Sequence, residues 1–455
     1  MLFLNVGPSA SIISLLFAGF RAVVLLSLGG LVACDVANSQ KPGPVWDTLI
    51  VKVPPKLPIA NFPVGFAGTA QLDRVMEHFR AQWQLNGVSV AIAHEGRLVY
   101  AKGFGLADAE TGVATTPQHQ FRVASVSKLV TAVAIMQLVE AGRLRLTDKV
   151  FGPGGILRDS VYSAARDPRV YDIEVQHLLR HTGGWRNRLR ADPMFVPLEI
   201  AAATNTPPPA SLAAITQYMF KQEMLASPGT FFDYSNFGYC LLGKVVEQVS
   251  GLTYENYVRQ MLLHPLGIGQ MRLACNRYTD KAPNEVRYYD YPGAKPKLSC
   301  YGTGDMVSRA YEGMNIEILG PAGGWVASPI ELLRFVLAVD GLNTLPDLLQ
   351  PRTIDLMTNQ NQIDSLNNPE IGWRYCGAQT WLRTGSFGGT HALLARQANG
   401  ITWVWVSNTS AWRGPNFSND VWEMMNRALA QVTQWPERDF FAADTVLLDR
   451  GQTVQ

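Results

Sequence analysis

Phe121-Arg122-Val123-Ala124-Ser125-Val126-Ser127-Lys128 runs straight into the apolar stretch Leu129 to Leu138. The junction places Ser125 at or near a helix N-terminus, with Lys128 one turn further on. Residues three apart share a helical face. Free backbone N–H groups and the positive dipole end favour negative charge there, and an amine beside the hydroxyl can accept its proton. A lysine in water, with a pKa near ~10.4, is a poor base at neutral pH. Apolar neighbours on both sides put Lys128 near the core, where burial lowers the pKa of an amine. By itself the Ser-x-x-Lys spacing also arises by chance, and its plain structural reading is a capping Ser with a solvated Lys.

Two further segments supply what such a pair needs. In Pro228-Gly229-Thr230-Phe231-Phe232-Asp233-Tyr234-Ser235-Asn236 a turn leads to a helix expected from near Gly238. Alternate side chains of an extended segment share a face, so Tyr234 and Asn236 point the same way. A phenol near Lys128 can relay a proton, and the Asn236 amide can bond both the lysine and a substrate amide. The structural alternative is a half-buried Tyr and a capping Asn. In Arg383-Thr384-Gly385-Ser386 the glycine lets a ligand approach the backbone closely. Arg383 there offers a fixed cation for a substrate carboxylate, Thr384 a hydroxyl, and the Ser386 N–H an oxyanion donor beside that of Ser125. The alternative is an edge-strand turn.

Outside these segments the pattern is helix and hairpin at the front, hairpin and helix at the back. Gln71 to Trp83 carries a helical apolar stripe, and Val88 to Ile92 and Leu98 to Tyr100 alternate around the turn signal Glu95-Gly96. Ala392 to Arg396 and Ile401 to Val406 flank Asn399-Gly400, and Asn419 to Val432 returns to helical spacing. One sheet built from both chain ends is expected. The middle is mainly helical (Lys128 to Ala141, Ser211 to Gln222, Gly238 to Val249, Ile330 to Val339) and reads as a helical lobe inserted roughly over 125–325.

With 455 residues the chain can bury a large core, and 39 Lys+Arg against 37 Asp+Glu leave it nearly neutral. That balance argues against nucleic acid as a partner, and no repeat or heptad pattern is present. His177 and His181 sit one turn apart without a third ligand at suitable spacing, so no metal site is expected and a packed or capping pair is the reading.

The three segments, in this order, resemble the serine β-lactamase and penicillin-binding-protein family, above all its class C β-lactamase, esterase and D-aminopeptidase branch. Ser125-x-x-Lys128 matches the nucleophile motif, Tyr234-Ser235-Asn236 the Tyr-x-Asn motif, and Arg383-Thr384-Gly385 the Lys-Thr-Gly or His-x-Gly strand motif. Val175 to Gly184, Tyr234 to Gly251, His264-Pro265-Leu266-Gly267 and Pro321 to Gly324 extend the likeness to roughly residues 70–435. The resemblance implies an α+β, β-lactamase/transpeptidase-like fold, with an antiparallel sheet flanked by helices and a groove between sheet and helical lobe. It implies that Ser125 attacks a carbonyl, Lys128 and Tyr234 handle its proton, water releases the acyl group, and no cofactor or metal takes part. The G-x-S-x-G elbow of α/β-hydrolases is absent. Arg383 departs from the family's Lys or His; a guanidinium binds a carboxylate but transfers no proton, which suits an anchoring role and a carboxylated substrate. Trp185, Trp325, Trp373 and Trp381 lie near the motifs and either line the groove or belong to the core. An ester, a peptide or a lactam all fit as substrate. The rival is an envelope lipoprotein that recognises penicillin, or acts as a scaffold, without turnover.

At the N-terminus, Arg21 precedes an apolar run ending in Leu31-Val32-Ala33-Cys34, which reads as a secretory signal (1–33) with a lipobox-like site at Cys34. The alternative is an uncleaved anchor, although the uninterrupted run is shorter than the ~20 residues of a span. Prolines over 34–66 suggest an extended tether, the hydrolase domain is expected over 67–435, and 436–455 as a tail. The expected location is the bacterial cell envelope, attached to a membrane through the lipid. If exported, Cys275 and Cys300 could close a loop, while Cys240, in an apolar helical run, is expected as a buried free thiol.

Overall fold

Gly87 to His94 (β1) is apolar on both faces, and the same two-residue period returns in the last third of the chain. The turn Glu95-Gly96, with φ positive at both residues, leads into β2 (Arg97–Asp108), followed by a short β3 (Val113–Ala114). The later strands are β4 (Tyr375–Cys376), β5 (Thr380–Phe387), β6 (Thr390–Gln397) and β7 (Ile401–Ser407). β1 pairs antiparallel with β7, from Val88 opposite Ser407 to His94 opposite Ile401, and the sheet order is β3-β2-β1-β7-β6-β5-β4. Both hairpins and their joining into one sheet follow the expectation. The computed structural model describes residues 69–185, 191–358 and 371–441. The expected signal (1–33) and tether (34–66) lie outside the described residues. The expected tail is described only to Phe441, and this part is tied to the fold: Asp439 accepts from the Leu98 N–H, and Phe440 is buried.

Five helices position the site: α1 (Thr69–Gln82), α2 (Ser127–Glu140), α3 (Asn236–Ser250), α4 (Pro329–Leu337) and α5 (Phe417–Leu429). Val88, Val90, Ile92, Leu393, Trp403 and Trp405 face one side of the sheet, under α1 and α5, where Phe79 stacks on Phe417. Ala91, Ala93, Ala392, Leu394, Val404 and Val406 face the other side and join the core built around α2 and α4. Burial on both faces explains why these strands are apolar throughout rather than alternating with polar residues. α2 is buried on nearly every side from Ser127 to Leu138, as a helix without a polar face must be.

Between β3 and β4 lie the expected helices, including Pro197–Thr204 and Leu212–Phe220, and also two small sheets that the helical reading did not include: Phe121–Arg122, Trp325–Ala327 and Arg272–Leu273 form one, Lys297–Leu298 and Met306–Val307 the other. Two further details differ from expectation. α3 starts at Asn236 rather than near Gly238, because the Ser235 hydroxyl caps it by accepting from the Gly238 N–H at 3.0 Å. Cys275 and Cys300 are free thiols in segments tied elsewhere: the Cys275 carbonyl accepts from Arg122, and the Cys300 N–H bonds the Glu312 carbonyl. Trp185, Trp325, Trp373 and Trp381 are all buried, so the core reading holds for each. Cys240 is a buried free thiol as expected.

α3 crosses a short helix, Gly320–Gly323, so closely that a Cβ at Gly243 would stand 2.2 Å from Pro321 Cγ. The same short helix offers the Pro321 carbonyl to Thr131 and the Ala322 carbonyl to Lys128. Gly243→Ala should therefore destabilise by about 1–3 kcal/mol in urea unfolding, although alanine is the better helix former. Equal or greater stability would show that this crossing is not close-packed.

Candidate active site

Ser125 sits in a 3-10 turn, Ala124–Val126, at the mouth of α2. Ala124 has φ +46, a left-handed conformation that costs a residue with a Cβ about 1–2 kcal/mol. Neighbours hold the turn. The Val123 N–H bonds the Trp325 carbonyl at 2.9 Å, the Ser127 hydroxyl accepts from the Trp325 N–H at 3.0 Å, and Arg122 donates to the carbonyls of Ala310 and Cys275. Among the described residues the Ser125 N–H has no acceptor. β5 crosses this turn at Gly385, where a Cβ would stand 2.2 Å from the Val123 carbonyl oxygen and 2.9 Å from the Ser125 nitrogen. Only glycine fits there.

The second cluster forms around a buried amine. Lys128 is fully buried, and its Nζ donates to Asn236 Oδ1 at 2.7 Å and the Ala322 carbonyl at 2.5 Å, with Ser125 Oγ at 3.4 Å. Burial first, then the nearby Arg383 charge, lower its pKa below the ordinary lysine value, while Tyr234 pulls it back upward. The Tyr234 hydroxyl donates to Ser125 Oγ at 2.9 Å. Burial would raise the phenol's pKa, but the charges of Lys128 and Arg383 outweigh it and hold Tyr234 at about 8. A phenol poised there is ionised in part near neutrality and can take a proton from Ser125.

Arg383 has partners in the structure that the sequence reading did not name. Its side chain is buried, and Nε donates to the Ser125 carbonyl at 2.8 Å, Nη1 to the Trp373 carbonyl at 3.2 Å and Nη2 to Tyr234 Oη at 3.3 Å. These bonds hold the guanidinium against Tyr234 and the Ser125 turn. Arg383, Thr384, Gly385 and Ser386 border a cavity of about 410 Å³ that Ser125, Tyr234 and Asn236 also line. All eight residues singled out in the three motif segments are thus brought together, Lys128 from beneath.

Several contributors were missed. Asp192 Oδ2 accepts from Asn236 Nδ2 at 2.7 Å, which fixes Asn236 with its oxygen toward Lys128. Burial raises the Asp192 carboxyl above the ordinary range, against the hydrogen bonds from Met194 and Asn236. The Asp192-Pro193 pair signals a cap, which Asp192 makes to the Met194 N–H, but not a distant partner. His181 packs against the Tyr234 ring at 4.4 Å, and its Nδ1 accepts from the Ser235 N–H at 3.1 Å; burial keeps it well below the usual histidine pKa and so neutral. His177 completes a capping box with Glu174. The pair is packed and capping, as read from the sequence. Phe195, Phe232, Phe387 and Arg374 also line the cavity. No group of three or more metal-ligating side chains occurs among the described residues.

The arrangement resembles known folds. The D-amino acid amidase from Ochrobactrum anthropi SV3 superposes with a TM-score of 0.61 at 21% identity, covering 80% of this chain and 99% of that one. EstCE1, a hydrolase with promiscuous acyltransferase activity, gives 0.57 at 22%, covering 79% and 98%. At these identities the likeness is one of fold. Protein flp of Staphylococcus aureus (strain COL) is 26% identical over 230 residues, 50% of this chain and 43% of that protein, so the chain spans about half the length of the curated relatives it matches. The sequence profile of the Beta-lactamase family matches residues 72–422, most of the described chain, and the protein belongs to that family.

Proposed function

We propose that the protein is a serine hydrolase that cleaves an ester, amide or lactam through an acyl-enzyme on Ser125. The observation that carries this reading is the contact of Tyr234 Oη with Ser125 Oγ at 2.9 Å, beside the buried Lys128. In the proposed cycle the Tyr234 phenolate accepts the Ser125 proton as Oγ attacks the carbonyl carbon. The phenol then returns that proton to the leaving atom as its bond to carbon breaks. Water enters, gives its proton to the same phenolate, and its oxygen displaces Ser125 Oγ from the acyl group; the departing Oγ takes that proton back from Tyr234, which restores the hydroxyl and the phenolate. Lys128 keeps the phenolate favourable, and Asn236 and Ala322 hold Lys128 in place.

The developing oxyanion needs two donors. The unbonded Ser125 N–H is one. Ser386 suits the second: Thr380 and Leu382 direct their backbone bonds toward the β4 side, and along a strand this direction alternates by residue, so Ser386 points that way too, past the end of β4. Arg383, by its bonds to Tyr234 and the Ser125 carbonyl, is assigned to stabilise the phenolate and fix the nucleophile turn rather than to hold a substrate carboxylate. EstCE1, a hydrolase, and the D-amino acid amidase agree with this chemistry. Export and lipid attachment at Cys34 belong to the same proposal and rest on sequence alone.

Four outcomes are expected. A fluorophosphonate probe should label the protein, and Ser125→Ala should abolish the label; labelling that survives would discredit the nucleophile. Below a pH of about 8 Tyr234 holds its proton and cannot accept another, so kcat/KM should fall as pH drops through that value. Arg383→Gln removes a cation that favours the phenolate, so this limb should move to higher pH for neutral and carboxylated substrates alike. A limb that stays put while only carboxylated substrates suffer would restore the anchoring role. Cys34→Ser should release the protein from membranes in cell fractionation, whereas retention would favour an uncleaved anchor.

A further inference from the structure

A second cavity, of about 320 Å³, adjoins the first and shares Phe195, Ser386, Phe387 and Pro415 with it. Two cations line it, Arg309 and Lys297, with the exposed Trp412 and Tyr291 beside them. No acidic side chain is among its described lining residues, and neither cation has an ion-pair partner among the described residues. Asp290 accepts from the Arg309 backbone N–H and the Ser308 hydroxyl, both at 2.8 Å, and makes no ion pair with the guanidinium. Two cationic residues that line a cavity with no acidic side chain in its described lining gain from an anion that enters it.

The position of this pair relative to the reacting atoms sets what the anion belongs to. The Arg309 backbone packs on the β5–β6 turn, where a Cβ at Gly388 would stand 2.6 Å from the Arg309 carbonyl oxygen. Tyr234, which delivers the proton to the leaving atom, bonds Arg383 in the middle of β5. Strand residues advance about 3.3 Å each, so Arg383 and Gly388 lie roughly 16 Å apart along the edge, with Ser386 between them. A leaving group therefore departs toward Tyr234, and the part retained on Ser125 extends past Phe387 toward Arg309.

We propose that this second cavity is an acyl-side subsite for a carboxylate, so that preferred substrates carry an acid at the far end of the acyl group, held by Arg309 with Lys297. The inference rests on the acyl-enzyme reading of Ser125. From Ser386 to Gly388 is roughly 7 Å, a length that an adipoyl chain spans.

The test compares p-nitrophenyl hydrogen adipate with p-nitrophenyl hexanoate, which have equal chain length and differ in the terminal carboxylate. For the unaltered protein kcat/KM should favour the adipate by about tenfold, the worth of a charge-assisted pair, and the preference should shrink with added salt. The ratio should collapse toward one in the double variant Arg309→Gln, Lys297→Gln, and survive in large part in Arg309→Lys, which keeps the charge. A ratio unchanged in the double variant, or an initial preference for the hexanoate, would overturn the subsite while leaving Ser125 chemistry intact. If neither ester is hydrolysed in a manner that Ser125→Ala abolishes, the acyl-enzyme reading falls and the subsite with it.

Discussion

A lysine amine with no access to water constrains everything around it in this fold. Lys128 lies on α2, a helix buried on nearly all sides, and two acceptors from distant parts of the chain, Asn236 and the Ala322 carbonyl, meet it there. A buried charge without such partners would cost several kcal/mol. With them the amine persists at low solvation, where its proton is held less tightly than in water. Arg383 adds a second buried cation nearby, and the two together lower the cost of ionising the phenol between them and Ser125. Reactivity in this picture comes from unfavourable burial, compensated by a few directional bonds.

That compensation explains features that look unrelated. Asp192 bonds the Asn236 amide nitrogen, which leaves the oxygen for Lys128. His181, neutral and packed at a tilt against the Tyr234 ring, takes the Ser235 N–H and fixes the approach of the phenol. Gly385 lets β5 press against the Ser125 turn until only a hydrogen fits between them. Gly243 lets Pro321-Ala322 approach α3, which sets the height of the carbonyl above the amine. Each supports the contact of Tyr234 with Ser125 or the seat of Lys128 beside it.

The sheet and the main helices were legible because their signals are local. Glu95-Gly96 and Asn399-Gly400 announce hairpins whatever lies around them, and apolar periodicity marks α1, α2 and α5. Ser125, Lys128, Tyr234 and Asn236 were legible as candidates because each pair's spacing puts its side chains on one face and the three segments occur together in the order of a known family. What stayed hidden depended on partners far along the chain. Nothing near Asp192 in the sequence points to Asn236, and nothing near Arg383 tells whether its guanidinium faces a ligand or Tyr234. The same holds for the tryptophans, whose burial follows from neighbouring elements, and for Cys275 and Cys300, whose segments are tied down by Arg122 and Glu312. Ser235 took the cap of α3 and freed Asn236, a competition between adjacent residues that spacing could not decide.

The central claim is that two buried cations hold one phenol ready to ionise. Tyrosine labelled with 13C at Cζ reports ionisation directly through its chemical shift, and Tyr234→Phe identifies the resonance. One signal should titrate near pH 8, well separated from the remaining tyrosines, and should vanish in that variant. A Tyr234 signal that moves only above pH 10 with the ordinary phenols would contradict the account, since the phenol would then be no better a base than one in water.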